Sequence, residues 1–226
     1  ASVLGPVLTK SRVEMKRLIK SVISQLALAS TLFVLAVSTA TAGPREQAKR
    51  MHDRLAGVPP TEAVLSAMAN EIANGDAVAA ANIAMENSAF YNVTLKNFVT
   101  PWTNRDGDVF APLNDYTATV IGMVRDDVPF NEVLSGDILY VGDASLGLPT
   151  YSSANNNHYE ELEQRDIALK EDLVRTTQSS LTPLPPNATA GVMTTRAAAE
   201  AFFIAGTNRA MLRFTLMNHL CRDLEQ

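Results

Sequence analysis

The clearest alternation of apolar and polar positions lies at the end of the chain. Across 207–226, Met211, Phe214, Met217, Cys221 and Leu224 recur at three- and four-residue spacings, and Leu212, Leu216 and Leu220 widen the apolar face. The pattern predicts a helix joined at Gly206 to a second one over 197–206. After Leu220 no Gly, Asn or Pro remains before Gln226 to close it. The expectation is a broad apolar helix that runs past the last residue, so that the natural chain continues, with other elements packed on that face.

Further helices can be read upstream. Pro44 is well placed to open one over 44–55, and Gly57-Val58-Pro59-Pro60 breaks the chain after it. Val64, Leu65, Met68 and Ile72 form the stripe of a helix over 61–73, stopped by Asn74-Gly75. Asp76 can cap an alanine-rich helix to about Glu86. Ser88 can cap another carrying Phe90, Val93, Leu95 and Phe98, ended by Thr100-Pro101. After a loop over 102–112, Asn114 or Asp115 opens a helix with Tyr116, Val120, Ile121 and Val124 on one side. Asp126-Asp127-Val128-Pro129 breaks that helix, and Pro129 starts a short turn through Leu134. The stretch 135–157 is irregular, with Ile138-Leu139-Tyr140-Val141 as a brief strand or extended segment. Asn157 and Glu160 have capping-box spacing for a helix over 158–165. The Ser/Thr/Pro-rich stretch 176–189 reads as a loop. The fold class expected is mainly α: an irregular multi-helix domain over 43–226 with a long loop-rich middle, incomplete at its C-terminus.

The first 42 residues read differently. Met15-Lys16-Arg17-Leu18-Ile19-Lys20 is a short basic start, an apolar stretch spans 26–37, and Ala40-Thr41-Ala42 precedes Gly43. These are the three parts of a signal peptide over 15–42, with cleavage expected between Ala42 and Gly43. Residues 1–14 lie upstream of its start and read as frame read-through. Ser24, Gln25, Ser30 and Thr31 interrupt the apolar run, which argues against a retained membrane anchor. The expected location is periplasmic or secreted, without membrane attachment after cleavage.

Composition narrows the partners. An apolar fraction of 46% supports a packed core. The formal net charge is -5, but 1–42 hold five basic residues against one acidic, so the body is four units more negative, at -9. Such a body disfavours nucleic acid and anionic membranes as partners. A single cysteine excludes an internal disulfide and a cysteine-rich zinc site.

Candidate chemistry is sparse. Asn104, Asp106 and Asp108 alternate like the start of a calcium loop, but the sixth position is Val109 where an EF-hand turn needs glycine, which favours a polar surface turn. His52, His158 and His219 lack adjacent ligands and read as structural. Cys221, on the apolar stripe, reads as a buried, inert thiol. Asp126-Asp127 and Glu160-Glu161-Glu163 read as surface charge. Asn92-Val93-Thr94 and Asn187-Ala188-Thr189 fit a glycosylation pattern. No glycine-rich phosphate loop or Gly-x-Ser-x-Gly elbow occurs. No catalytic residue can be assigned, and no metal or cofactor site is expected within this stretch.

Four segments carry a resemblance: 52–60, His52-Asp53-Arg54-Leu55-Ala56-Gly57-Val58-Pro59-Pro60; 127–141, from Asp127-Val128-Pro129 to Tyr140-Val141; 190–195, Ala190-Gly191-Val192-Met193-Thr194-Thr195; and Thr207-Asn208-Arg209 running into Asn218-His219-Leu220-Cys221. Together they resemble a large group of exported bacterial proteins built from domains of unknown function and linked to c-type cytochrome segments. The resemblance implies a periplasmic helical module that supports electron transfer, with a cytochrome-like segment as partner in cis or in trans. It also implies haem c bound by Cys-x-x-Cys-His in a C-terminal continuation, because no such motif is present here. Two other readings stand beside it: an exported oxidoreductase or hydrolase acting on an extracellular polymer, whose binding loops would gather in the irregular middle, and a helical scaffold.

Overall fold

The computed structural model describes residues 42–204 and 209–224. The signal-like segment therefore lies outside the described residues except for Ala42, as does the predicted junction at Gly206. Ala42 and Gly43 lie outside any regular element.

The protein is mainly helical. Helices α1 (Pro44–Leu55), α2 (Glu62–Ala73) and α3 (Ala77–Met85) form a first layer. The Thr61 and Asp76 side chains accept from Val64 N and Ala79 N, so the predicted helix starts at 61 and 76 are real caps. Ala48, Leu65, Met68, Ala80 and Ala84 form the small core of this layer. Leu55 touches both this core and the main one.

A π-helical turn, Phe90–Leu95, leads into α4 (Lys96–Val99) and a 3-10 turn, Thr100–Thr103. The wider turn rotates the residues after it about the helix axis. Tyr91 and Val99 are buried, while Val93 and Phe98, predicted on the inner stripe, face outward. Ser88 is not a cap; Asn87 Oδ1 accepts from Ala89 N instead. Asn92 donates to Ile167 O and accepts from Leu169 N, so its amide is spent inside the fold and cannot serve as a glycosylation acceptor. Asn187 remains exposed.

Helix α5 (Asp115–Arg125) is the axis of the main core, and Asn114 Oδ1 caps it at 3.0 Å from Thr117 N. The predicted one-sided stripe is corrected: every residue from Asp115 to Met123 is buried, and Val124 faces outward. A helix surrounded on all sides needs neighbours on all sides. After a 3-10 turn at Phe130–Leu134, strand β1 (Leu139–Gly142) packs against α5. Helix α6 (Asn157–Gln164) then covers β1, and a short α7 (Leu169–Asp172) leads into strand β2 (Leu173–Thr176). β1 and β2 pair antiparallel, with Leu139 opposite Thr176 and Gly142 opposite Leu173. The sequence pattern does not announce β2. Nor does it announce α8 (Gln178–Leu181), which opens the expected loop over 176–189. The predicted capping box is also absent: Asn156, not Asn157, is the residue before α6, and Asn156 rather than Asn157 reaches Glu160. Helix α9 (Arg196–Ala198) continues into a second π-helical turn, Ala199–Ile204, and α10 (Ala210–Leu220) closes the described chain.

Tyr140 joins β1 to α5. Its N donates to Thr119 Oγ1 at 3.2 Å, its hydroxyl donates to Asp126 Oδ2 at 2.6 Å, and its ring packs on Gly122. A Cβ on Gly122 would come within 2.2 Å of the Tyr140 ring. Asp126, expected as surface charge, is thus part of a structural network with Arg125, whose guanidinium also donates to Lys170 O and Leu173 O. Gly122→Ala tests this packing. Helix propensity alone would stabilise by about 1 kcal/mol, but overpacking reverses the sign, and urea unfolding is expected to show a loss of about 1–3 kcal/mol.

Candidate functional site

Three separated segments converge at the N-terminal end of α5. Asp115 is fully buried, and its carboxylate meets only donors: Arg196 N at 2.6 Å, Ala197 N at 3.0 Å, Tyr151 Oη at 3.2 Å and Tyr116 N at 3.0 Å. It thereby satisfies the first amides of α9, assisted by Thr195 Oγ1 on Ala198 N. Burial pushes the Asp115 carboxyl above its ordinary pKa, against the pull of the Ala197 and Arg196 amides, the Arg196 charge and the Tyr151 hydroxyl. Burial likewise pushes the Tyr151 hydroxyl up, with the Asp115 charge adding to it.

Above this anchor opens a cleft of about 590 Å³ between the 103–114 segment, the 154–160 segment and the start of α9. A hydrogen-bonded chain crosses it. The Arg196 guanidinium pairs with Glu200 and donates to Asn156 Oδ1 at 3.0 Å. Asn156 Nδ2 donates to Leu113 O at 2.8 Å and to Glu160 Oε1 at 3.3 Å. Asn114 Nδ2 is held by Thr103 Oγ1 and Pro112 O. No Ser, Cys or His lines this cleft among the described residues, so its wall presents amides, two guanidinia and two carboxylates rather than a nucleophile with its base.

The calcium-like residues belong to the rim. Asn104 Oδ1 accepts from Asp108 N, Asn104 Nδ2 donates to Thr100 O and Asp108 O, and Asp108 Oδ1 accepts from Phe110 N. Asn104 is thus occupied in closing its own turn, and Asp106 is exposed. Among the described residues no group of three or more His, Cys, Asp or Glu could hold a metal ion.

The histidines are all engaged. His52 Nδ1 lies 2.8 Å from Val58 O. His158 accepts from Gly142 N at Nε2, which places its proton on Nδ1, 2.7 Å from Pro149 O. His219 Nε2 is 2.9 Å from Tyr116 Oη, with the Trp102 ring edge-on at 5.6 Å. Of the acidic cluster on α6, Glu163 is not simple surface charge: it pairs with Lys96 and accepts from Leu113 N at 2.8 Å.

No protein-family model, curated protein or solved structure matches this chain.

The structure corrects two expectations at the C-terminal end. Helix α10 stops at Leu220 instead of running on: Cys221 takes the left-handed conformation at φ 51°, and both it and Arg222 donate their N–H to Leu216 O. The only cysteine is consequently exposed, not buried. Arg222-Asp223-Leu224 follows it, so residues of this chain do not fit covalent haem attachment, which needs Cys-x-x-Cys-His.

One side of α10 is held inside. Phe214 stacks on Phe202 at 4.8 Å, Asn218 Nδ2 donates to Trp102 O, and Thr215 Oγ1 reaches Met193 Sδ. The other side is also apolar but uncovered: Leu212, Met217 and Leu220 are exposed, together with Leu224 beyond the helix and Phe203 and Ile204 before it. The segment 190–195 joins 127–141 to the covered side of α10. Gly191 N donates to Gly136 O, Val192 N to Val133 O, and Met193 touches Thr215.

Two measurements test these assignments. Asp115→Asn keeps the shape but leaves one acceptor oxygen for four donors; it is expected to cost about 2–3 kcal/mol, or roughly 5–10 °C in Tm. Burial pushes the His219 imidazole below its ordinary pKa of 6.5. Between that lowered pKa and 6.5 the unfolded chain binds more protons than the folded one, so this contribution is full above 6.5 and is lost as pH falls through the window. Urea midpoints from about pH 7.5 to 5.5 are expected to fall less steeply in His219→Gln than in the wild type.

Proposed function

We propose that this chain is an exported helical module that packs against a c-type cytochrome segment, in cis or in trans, and supports electron transfer without a reaction of its own. The observation that carries the reading is the uncovered apolar side of α10. Leu212, Met217 and Leu220 share an arc opposite the one that packs on Phe202, Trp102 and Met193. An apolar patch left on the second side of a packed helix marks an interaction surface. The resemblance to exported cytochrome-linked proteins supplies the partner, and one of its segments, 190–195, touches this helix through Met193 on Thr215. Haem would be held on the partner segment by a Cys-x-x-Cys-His motif and an axial His. The acidic body and the signal-like 15–42 segment agree with an exported protein that avoids nucleic acid. Among the described residues no helix is long and apolar enough to cross a membrane.

The test is the absorption spectrum of the full-length protein purified from an exporting host with cytochrome maturation, together with Leu212→Glu/Leu220→Glu. A Soret band, carried on the same chain or on a co-purifying one, is the expected result. In the double variant the haem-bearing segment is expected to become protease-sensitive or to dissociate. Absence of haem from both the chain and its partners would remove the cytochrome reading.

A further inference from the structure

We infer that the cleft above Asp115 is a binding site for a neutral, polyhydroxylated ligand, an oligosaccharide segment. This inference is independent of the cytochrome reading, since it rests on a different surface. The volume of about 590 Å³ is in the range of small-molecule sites and exceeds the space of a single sugar ring.

The chemistry of the lining selects the ligand. Arg105 and Arg196 face Glu160 and Glu200, so the wall carries no net charge. Several polar atoms keep unused capacity after the internal network is made. Among the described residues the Asn157 amide makes no hydrogen bond, and Asn155 uses only its oxygen, on Asn157 N. Glu160 uses one oxygen, on Asn156, and Glu200 uses one, on Arg196. The wall thus offers donors and acceptors side by side. Hydroxyl groups, which donate and accept at once, complement that pattern. A phosphate or carboxylate ligand would meet the two open carboxylate oxygens as well as the guanidinia and so gains no net attraction from the wall. A peptide would want deep apolar pockets for its side chains, and the apolar lining here is limited to alanines and Pro112.

The rim adds an aromatic surface. Phe110 is 89% exposed and directly precedes Ala111 and Pro112, which line the cleft. Its backbone is fixed, because Asp108 Oδ1 accepts from Phe110 N at 2.8 Å and Asn104 holds Asp108. An exposed ring next in sequence to residues that line the cleft suits a pyranose, whose C–H face is apolar and whose edge is polar. The alternating Asn104, Asp106 and Asp108 turn then has a role: it presents Phe110.

The test uses the full chain and saturation-transfer NMR with neutral glucan and chitin hexasaccharides, with an oligogalacturonate and inorganic phosphate as charged probes. A neutral oligosaccharide is expected to bind. Phe110→Ala and Asn157→Ala, both at exposed positions and checked for an unchanged melt, are each expected to weaken it about tenfold. The inference is overturned if no neutral oligosaccharide shows transfer at millimolar concentration, if a charged probe binds more tightly than every neutral one, or if neither variant changes the affinity.

Discussion

The buried carboxylate of Asp115 holds the architecture together. Two helices that are far apart in sequence must each end somewhere in the core, and each end presents amides without internal partners. Asp115 starts α5 and, through Arg196 N and Ala197 N, also closes the start of α9. A charged group without water is costly unless fully paired. Here four donors surround it, and the cost is offset only when α5, α9 and Tyr151 are all in place. The interaction is therefore all-or-none. Losing one partner leaves the others with an unsatisfied charge, which favours a single arrangement of the three segments over near alternatives.

That dependence explains which features are legible in the sequence and which are not. The helices of the first layer are legible because their signals are local: Pro44 at an opening, the stripe from Val64 to Ile72, Asp76 at a cap, Asn74-Gly75 at a stop. Asn114 is legible as the start of α5 for the same reason. The role of its neighbour Asp115 is not, since its partners lie 36 and 81–82 positions away. β2 is invisible on similar grounds. Its four residues acquire strand geometry only by pairing with β1, and Val174 and Arg175 point outward, so no buried period marks it.

Four of the residues around the first π-helical turn share a cause for departing from the sequence pattern. A helical stripe assumes a constant 100° per residue, and the two π-helical turns break that count. Val93 and Phe98 turn outward, and Tyr91 and Val99 turn in. At the C-terminal end the apolar residues of α10 do form two faces, but a sequence pattern cannot say which one the rest of the chain covers. Cys221 falls on the expected stripe and yet is the left-handed residue that ends the helix. A non-glycine residue in that conformation is uncommon, and nothing in its side chain announces it. The cleft is hidden more completely, because it is made from 103–114, 154–160 and 196–201, none of which carries a binding motif.

The polar cleft and the apolar helix surface share one element. The second π-helical turn, Ala199–Ile204, supplies Glu200 and Ala201 to the cleft and buries Phe202 against Phe214 of α10. It then presents Phe203 and Ile204 on the outside. Phe202 points in while Glu200, Phe203 and Ile204 lie on the other side, as an advance of about 100° per residue also gives. π-helical turns occur mostly singly inside α-helices, frequently at functional sites. Phe202 is fully buried in a packed core that tolerates little rearrangement. The position of α10 and the position of the Arg196–Glu200 pair are consequently set by the same fully packed ring.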